Sequence, residues 1–536
     1  MIAVLRNWLL RAILARLNTP RDVTRFACRR YAGRVALRHG PRAISYAELN
    51  DLVLRIATLW RRWGIDHGDP VLCLLPDGIE QMLIRFAAAE AGVMLTTLRP
   101  EDKERQLSAA LEITQPRLVI HPPGMAISLS ESARVWSFDA DEKSELDSVK
   151  PAQDTRPLDP VKLAVLGFTS GTTGKPKALA ISHGAYLTSL RQVSANIDFS
   201  GRKLFKAEDQ ERFLVGIPLT GAGSGIVLPA LLSGACLTIP EKYDADTLLS
   251  TLKEQRINRL FTTPSLLIDL LDHPNLVPLP HLRHLIYGTE LMPAAKLEEA
   301  LTHFGPILQQ GYGSAEVLPP VSLLTPGDHL ASGLRDNPRP TTRDILMSAG
   351  RIVSGVQVRI VDDNGEDLPA GEIGEVLIKS PTVFSGYWRR PDLTATTLHK
   401  GYLVSGDVGR ISSDGYLTIM GRKADLVIRR GRIIYPRLVE EAAHDHPAVK
   451  EASLVQVTDQ AILAASLRHV RRQASPPVSG WSMELARHLQ QQLPAEMQPD
   501  RIVIFQELPR SPLGKLLRRD VRAVLEATPR QQEQTP

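Results

Sequence analysis

Leu166-Gly-Phe-Thr-Ser-Gly-Thr-Thr-Gly-Lys-Pro-Lys177 is a loop rich in hydroxyls, glycines and lysines, and it directly follows an apolar run. Gly171 and Gly174 let the backbone turn tightly and bring N–H groups close to phosphate oxygens. The hydroxyl groups can donate hydrogen bonds, and the lysines supply positive charge. The loop therefore predicts a polyphosphate site. Its predicted ligating residues are Thr169, Ser170, Gly171, Thr172, Thr173, Gly174 and Lys175.

This loop is not the P-loop of nucleoside triphosphatases, which needs a glycine, four residues, and then Gly-Lys followed by Ser or Thr. Thr169 stands at the position of the first glycine, and Pro176 follows Lys175. The alternative interpretation is a flexible Ser/Thr/Gly surface loop. Lysines placed directly after a hydrophobic strand favour the phosphate-binding interpretation.

The length and composition of the chain indicate a globular protein with more than one domain. It has 536 residues, of which 43% are hydrophobic and 23% charged, and a single core rarely grows that large. The formal net charge of +5 is small, and Lys and Arg are scattered along the chain, so no nucleic-acid partner is expected. Cys28, Cys73 and Cys236 form no CxxC pair, which fits a reducing cytoplasm.

The N-terminal segment 1–18 is apolar but interrupted by Arg6, Arg11 and Arg16. It lacks a small-residue cleavage site and is too short to span a bilayer. Two interpretations stay open. The segment either lies as a basic helix on the inner membrane surface or packs onto the body of the protein.

Strand-like and helix-like segments alternate from about residue 20 to residue 420, which predicts an α/β fold with parallel sheet. From residue 352 onward short β-rich runs predict a smaller β subdomain, with a hairpin turn at Ser412-Ser-Asp-Gly415. The predicted strands are 70–75, 117–121, 213–217 and 282–287, and the predicted helices are 79–92 and 244–256.

The charged stretch Gly421-Arg-Lys-Ala-Asp425 separates two apolar runs and predicts a domain boundary. We expect an N-terminal helix at 1–20, a large domain of layered α/β subdomains plus a β subdomain at 21–422, and a small α+β domain at 423–527. The polar tail 528–536 is expected to be disordered. Below, residues 21–422 are called the body and residues 423–527 the C-terminal module.

Taken as a set, six segments resemble the adenylate-forming ligases, which include acyl-CoA synthetases and fatty acyl-AMP ligases. The resemblance extends from Tyr46 to Arg522, and the segments occur in the order found in that family. They are the 169–177 loop, Gln309-Gln-Gly-Tyr-Gly-Ser-Ala-Glu316, Gly371-Glu-Ile-Gly-Glu375 with Gly386-Tyr-Trp388, Ser405-Gly-Asp407, Gly421-Arg422 with Arg429-Arg-Gly431, and Leu508-Pro-Arg-Ser-Pro-Leu-Gly-Lys515.

The resemblance implies a role for each polar residue. Tyr312 would stack on the adenine, and Asp407 would accept both ribose hydroxyls. Glu316 would bind Mg²⁺, for which a hard carboxylate oxygen is suitable. Arg422 would contact ribose and phosphate, and Lys515 would bridge the carboxylate and the α-phosphate. Lys515, Glu316 and Arg422 are therefore the predicted catalytic residues.

The segment 282–290 resembles the strand and turn that flank the adenine, so Gly288 and Thr289 are predicted nucleotide neighbours, as is Gly313. Gly431 matches the glycine that lines the pantetheine passage in thioester-forming members. The resemblance further implies that the C-terminal module is mobile and rotates between the two half-reactions.

Several positions depart from the family pattern. Ala315 replaces a threonine, Ala424 replaces a charged hinge residue, and Ser405 replaces a threonine. The 218–223 segment contains no histidine, whereas many relatives have an aromatic-His pair there. The 457–460 loop is shortened, which would change how a thiol partner docks.

The acyl pocket is less clear from the sequence. Small residues at Gly221, Gly223 and Gly225 either leave room for a chain or ring or allow close backbone packing. No acidic residue there is clearly placed for an amino group, although Glu290 lies nearby. An amino-acid substrate is therefore not favoured.

The predicted reaction is ATP-dependent activation of a fatty or aryl acid to acyl-AMP, with pyrophosphate release and then thioester formation with coenzyme A. The first alternative is an acyl-AMP ligase that loads the phosphopantetheine of an acyl carrier protein. The second, of another class, is a non-catalytic nucleotide-binding relative. The expected cofactors are ATP, Mg²⁺ and coenzyme A, and the expected substrate is a small carboxylic acid.

Overall fold

The computed structural model describes residues 14–527 except 15, 101–103, 126, 128–132, 139–144, 170–175, 197–209, 331–342, 469–477 and 512–514. The predicted phosphate-binding residues 170–175 therefore lie outside the described residues. Most of the 1–18 segment and the whole 528–536 tail also lie outside them.

The helices follow the start and stop signals of the sequence. Ser45 and Glu48 form a capping box at the start of the second helix, and Gly92 ends the third in a left-handed conformation with φ +69°, as expected for these residue types. The helices are α1 Pro20–Arg30, α2 Tyr46–Arg62, α3 Ile79–Ala91, α4 Glu104–Thr114, α5 His183–Asn196, α6 Ser224–Leu232, α7 Ala245–Glu254, α8 Pro264–Leu271, α9 Ala294–Phe304, α10 Arg343–Leu346, α11 Pro391–Thr397, α12 Pro436–His444, α13 Val478–Gln492 and α14 Arg518–Ala527.

The strands are mostly short and apolar. They are β1 Val35–His39, β2 Arg42–Ser45, β3 Pro70–Cys73, β4 Met94–Thr97, β5 Leu118–His121, β6 Arg134–Ser137, β7 Leu163–Thr169, β8 Lys177–Ser182, β9 Arg212–Gly216, β10 Cys236–Ile239, β11 Arg259–Thr262, β12 His284–Gly288, β13 Leu308–Tyr312, β14 Ser322–Leu324, β15 Arg351–Ile352, β16 Gln357–Val361, β17 Gly374–Lys379, β18 Gly386–Tyr387, β19 Leu398–His399, β20 Tyr402–Ile411, β21 Leu417–Arg422, β22 Val427–Arg429, β23 Arg432–Ile434, β24 Val449–Val457, β25 Gln460–Leu467 and β26 Arg501–Phe505.

Two large sheets form the first part of the body. Among the described residues one sheet has the order β15-β14-β13-β12-β11-β9-β10-β1-β2, and its centre from β13 to β1 is parallel. The other has the order β18-β8-β7-β4-β3-β5-β6. A continuous apolar cluster joins Tyr46, Trp60 and Phe86 of the helices to Phe213 and Val71 of the two sheets. Burial of each such large side chain contributes about 1.5–3 kcal/mol.

The predicted strands and helices are present, and their ends shift by at most two residues. Asp244, predicted as the first residue of a helix, is instead the N-cap whose side chain accepts from Thr247 N. The strands are recognisable in the sequence as apolar runs because helices cover both faces of a parallel sheet and bury its strands.

The β subdomain is an antiparallel sheet in which β16, β17, β20 and β19 are neighbours and β21 pairs with β20. The predicted hairpin turn is confirmed. Gly415 N donates to Ser412 O at 2.8 Å, and Gly415 has φ +82°, a conformation that favours glycine.

The C-terminal module has a hairpin, β22 with β23, and a sheet of β24, β25 and β26 flanked by α12, α13 and α14. The shortened loop is a tight turn, because Val457 pairs with Gln460 and only two residues lie between them. The mixed α/β architecture with a large first part and a small last part confirms the predicted fold class.

Across the described part of the chain, none of the helices combines the length and apolar character that crossing a bilayer requires.

Candidate active site

The carboxyl ends of the parallel strands β12 and β13 place the predicted nucleotide neighbours side by side. Gly288 pairs with Gly311 across these strands, and ligands commonly bind at such an edge. A Cβ on Gly288 would lie 2.7 Å from Gly311 O, and one on Gly313 would lie 2.8 Å from Pro319 Cβ. Both positions therefore require glycine because the backbone is closely approached.

A buried carboxylate joins β13 to the β subdomain. Tyr312 Oη donates to Asp407 Oδ2 at 2.6 Å, and Arg422 Nε lies 3.1 Å from Asp407 Oδ1. Asp407 and Arg422 are register partners of β20 and β21, and Arg422 Nη1 also donates to Ser405 O at 2.9 Å. Three residues predicted separately are thus in direct contact.

The charges around Asp407 act in opposite directions on its carboxyl. Burial raises its pKa, while Arg422, the Tyr312 hydroxyl and Lys515 oppose that shift and Glu316 adds to it. Burial and the neighbouring Asp407 also raise the pKa of Tyr312 well above its usual range, so the phenol keeps its proton and remains the donor. Three charged side chains from distant segments, Arg422, Lys515 and Glu316, thus act electrostatically on this carboxylate.

Glu316 lies beside the stem of the predicted phosphate loop. Tyr387 Oη donates to Glu316 Oε1 at 3.2 Å, and Lys177 Nζ lies 5.3 Å from the centre of the Tyr387 ring. Lys177 pairs with Thr169, the last residue of β7. The structure therefore places both ends of the 170–175 segment on the side of the molecule where Glu316 lies.

Lys515 reaches the body from the C-terminal module. Its Nζ donates to Thr289 O at 3.2 Å, directly after the closely packed Gly288. Thr289 has φ +76°, which is strained for a β-branched residue. Lys515 is exposed, and its reach across to β12 brings the predicted catalytic lysine to the predicted nucleotide edge.

The glycines of the predicted acyl segment divide into two kinds. A Cβ on Gly223 would lie 2.6 Å from Pro218 O, so this glycine serves close backbone packing. No described atom lies within 4 Å of a Cβ placed on Gly225. Close backbone packing thus explains Gly223, while room for a chain or ring beside Gly225 stays a prediction.

Gly431 lies in the turn of the β22–β23 hairpin with φ +76°. No described atom lies within 4 Å of a Cβ placed there, so it is the backbone conformation that favours glycine. Its predicted place in a pantetheine passage stays a prediction.

Three contacts were not found from the sequence. Tyr387, for which the sequence indicated no role in the site, donates to Glu316. Ser265 Oγ donates to Glu290 Oε2 at 2.6 Å, and burial raises the pKa of Glu290. Asp77 Oδ2 accepts from Leu219 N at 3.0 Å and thereby fixes the start of the acyl segment. These contacts join residues far apart in the chain, and no local pattern marks them.

A sequence model described as AMP-binding enzyme matches residues 24–388, and one described as AMP-binding enzyme C-terminal domain matches residues 438–515. The chain belongs to the AMP-binding enzyme family. It is 30% identical to feruloyl-CoA synthase from Amycolatopsis sp over 496 residues, covering 91% of this chain and 95% of that protein. It is 27% identical to the fatty acid–[acyl-carrier-protein] ligase ScoC of Streptomyces coeruleorubidus, covering 90% and 91%.

Among solved structures, the amide bond synthetase McbA from Marinactinospora thermotolerans matches this AMP-binding enzyme with TM-score 0.78 and 26% identity, covering 94% of this chain and 99% of that one. The predicted family and the predicted class, an ATP-dependent acid–thiol ligase, are confirmed. The alternative of a non-catalytic relative is not favoured, because the charged residues predicted for catalysis are present and converge.

Proposed function

We propose that this AMP-binding enzyme activates an aryl or fatty acid to its acyl-AMP and transfers the acyl group to coenzyme A. The observation that carries the proposal is the 3.2 Å contact of Lys515 Nζ with Thr289 O, because this contact brings an exposed cation to the nucleotide edge, where its charge acts to lower the pKa of Asp407. Such a preorganised group of charges is what the joining of two anions needs.

In this proposal the carboxylate of the acid attacks the α-phosphorus of ATP, and pyrophosphate leaves. Lys515 and Arg422 offset the repulsion between the two reacting anions and stabilise the charge of the transition state. The residues of the 169–175 loop hold the outer phosphates. Gly288, Thr289 and Gly313 shape the edge against which the nucleotide lies.

Asp407 binds the ribose and Tyr312 stacks on the adenine. Each carboxylate oxygen of Asp407 already has one partner, Arg422 or Tyr312, and each retains a second lone pair for a ribose hydroxyl. The two contacts fix the orientation of the carboxylate before the nucleotide arrives.

Glu316 is the proposed Mg²⁺ ligand. A single carboxylate fits this ion, which commonly binds one or two protein oxygens and the phosphates of the substrate, and in the described chain no group of three His, Cys, Asp or Glu residues could hold a metal by itself. When bound, Mg²⁺ neutralises charge on the phosphates. The Tyr387 hydroxyl orients Glu316 for that role.

A carrier protein is the second candidate acceptor of the acyl group. Ala315 and the two-residue turn between Val457 and Gln460 depart from the common pattern of thioester-forming relatives, and ScoC is a relative whose name specifies an acyl carrier protein. Coenzyme A remains the first candidate because feruloyl-CoA synthase is similar over more of its length.

We also propose that residues 423–425 form the hinge between the body and the C-terminal module, with the boundaries expected from the sequence. Lys423 Nζ lies 3.2 Å from Asp363 Oδ1 and from Glu375 Oε2, so the body holds one end of this short turn. Membrane contact through residues 1–18 stays a prediction.

The test is pyrophosphate release with a panel of aryl acids and fatty acids of increasing length, each followed by coenzyme A or by a phosphopantetheinylated carrier protein. We expect one class of acid to release pyrophosphate and to yield an acyl-CoA. An activated acid that is passed only to the carrier protein would establish the second candidate, and no release with any acid would overturn the proposal.

A further inference from the structure

We propose that Arg510 positions Lys515 for acyl-AMP formation by binding one carboxylate of the body and one of the C-terminal module at the same time. The inference rests on the role proposed above for Lys515. It adds a positioning residue that does not itself touch the reacting groups.

The two carboxylates belong to different parts of the molecule. Arg510 Nη2 lies 2.8 Å from Glu451 Oε2, which is on β24 of the module, and 3.5 Å from Asp269 Oδ1, which is on α8 of the body. The Arg510 side chain is 22% exposed and that of Glu451 only 8%. This partial desolvation strengthens both interactions relative to a surface pair.

Arg510 and Lys515 lie on two paired backbone segments on either side of residues 512–514, and these two arms are called the Lys515 turn below. Arg510 and Leu516 form an isolated bridge, and Ser511 N donates to Lys515 O at 2.7 Å. Lys515 N donates to Ser511 Oγ at 3.2 Å. The backbone of Lys515 is therefore fixed relative to the backbone of Arg510, so a contact that locates one arm locates the other.

The two contacts of Arg510 have different consequences when the module moves. The contact with Glu451 lies within the module and persists in any orientation. The contact with Asp269 exists only in the orientation seen here, in which Lys515 Nζ reaches Thr289 O. Asp269 therefore stabilises the orientation that serves the first half-reaction, and its contact with Arg510 is lost when the module rotates.

Removing the guanidinium of Arg510 would deprive Glu451 and Asp269 of a positive charge that they now share. Burial already raises the pKa of Glu451, Asp269 adds to that shift, and Arg510 opposes it. Without Arg510, Lys450 Nζ still pairs with Asp269 Oδ1 at 2.7 Å. Glu451, however, loses the guanidinium 2.8 Å away, and the segment that carries Lys515 loses its link to both carboxylates. The lysine-bearing turn would then be displaced from the nucleotide edge, and small displacements of a catalytic group have large effects on rate.

Arg468 offers a matched control. It also joins the module to the body through two carboxylates, with Nε 3.3 Å from Asp272 Oδ1 and Nη1 3.1 Å from Glu299 Oε1. Both of its partners belong to the body, and it directly follows the last residue of β25 rather than lying on the Lys515 turn. It therefore contributes to docking without locating the lysine.

The experiment measures both half-reactions for Arg510→Met, Arg510→Lys, Asp269→Asn and Arg468→Met. We expect Arg510→Met to slow acyl-AMP formation about 10–100-fold in kcat and to leave the transfer from preformed acyl-AMP to thiol nearly unchanged. Arg510→Lys should restore part of the rate. Asp269→Asn should act in the same direction, and Arg468→Met should have the smaller effect.

A double-mutant cycle between Asp269→Asn and Arg510→Met should show coupling in acyl-AMP formation and none in thioester formation. Additive effects, equal losses for Arg510→Met and Arg468→Met, or equal losses in both half-reactions would overturn the inference. If Arg510→Met fails to fold, the comparison of Asp269→Asn with Lys450→Met decides, because Lys450 Nζ lies 2.7 Å from Asp269 Oδ1 and is the other module cation on that carboxylate. Asp269→Asn should then slow acyl-AMP formation more than Lys450→Met does, and equal losses would overturn the inference. A wild-type chain that releases no pyrophosphate would instead overturn the proposed function.

Discussion

The body and the C-terminal module hold their predicted site residues in opposite ways. In the body, Asp407 is 5% exposed and has two side-chain partners that belong to the same region. In the module, Lys515 is exposed, and its side chain contacts the body through one backbone oxygen. The body is preorganised to bind, whereas the lysine depends on how the module is docked.

This difference fits a reaction in two stages. Buried, mutually satisfied groups stay fixed when a neighbouring domain moves, while an exposed side chain held by a few polar contacts can leave its site at small energetic cost. The nucleotide-binding groups would remain in place throughout, and the groups of the first half-reaction would be withdrawn afterwards. The predictions below test that division, and the largest expected effect comes first.

Lys515→Ala should slow acyl-AMP formation about 10²–10³-fold, a loss typical of removing one group that stabilises transition-state charge. ATP should still bind, because the preorganised residues are untouched. Pyrophosphate release and calorimetric ATP titration are the two measurements. Since Lys515 is exposed, the midpoint of thermal unfolding serves as the control and should not change. Undiminished pyrophosphate release by Lys515→Ala would show that the first half-reaction does not depend on the docked lysine of the module.

Asp407→Asn should weaken nucleotide binding about 10–100-fold, because a hydrogen bond to a charged group contributes about 1.5–3 kcal/mol. The matched control is Tyr312→Phe, which keeps the ring and removes only the hydroxyl that donates to Asp407. It should weaken binding less. Titration of both variants with ATP is the measurement, and equal affinity of Asp407→Asn and the wild type would show that the preorganised carboxylate does not bind the nucleotide.

Local patterns were enough to predict much of the body. The alternation of apolar runs predicted parallel strands, since a strand that is buried on both faces consists of nearly continuous apolar residues. Tyr312, Asp407 and Arg422 were each identified in separate segments by resemblance, and the structure brings them into contact.

The sequence could not reveal the contacts that link distant segments. Tyr387 with Glu316 and Arg510 with Asp269 depend on how sheets and modules pack. Such pairs are set by tertiary geometry, and nothing in the spacing of the residues encodes them. The two kinds of acyl-segment glycine, Gly223 and Gly225, differ for the same reason.

The stability of both regions should fall at low pH. Burial lowers the pKa of His329 in the body and of His444 in the module to about 4. Because the folded state binds fewer protons than the unfolded state, each histidine contributes stability that is present above about pH 6.5 and is lost as the pH falls towards 4. The loss is about 1.4 kcal/mol per pH unit for each histidine in that window.

His444→Gln isolates the contribution of the module to the pH dependence of the free energy of unfolding. The side chain no longer titrates, so the free energy of unfolding, measured with urea from pH 7 to pH 5, should depend less steeply on pH than in the wild type. His329→Gln is the counterpart in the body, where His329 Nδ1 donates to Thr325 O at 2.7 Å. Parallel pH profiles of wild type and His444→Gln would contradict the buried, neutral state of that histidine.

Thr289→Gly should stabilise the protein by about 1 kcal/mol, the smallest of these effects, because a β-branched residue with positive φ is strained and glycine is not. Thr289 has φ +76°, and its backbone oxygen accepts from Lys515. Thr289→Val is the matched control, since it keeps the branched side chain and should bring no gain. Urea unfolding of the three proteins is the measurement. A glycine variant no more stable than the valine variant would mean that the body bears no strain at the point where the module's lysine docks, and the lysine's acceptor would then be held in place by packing alone.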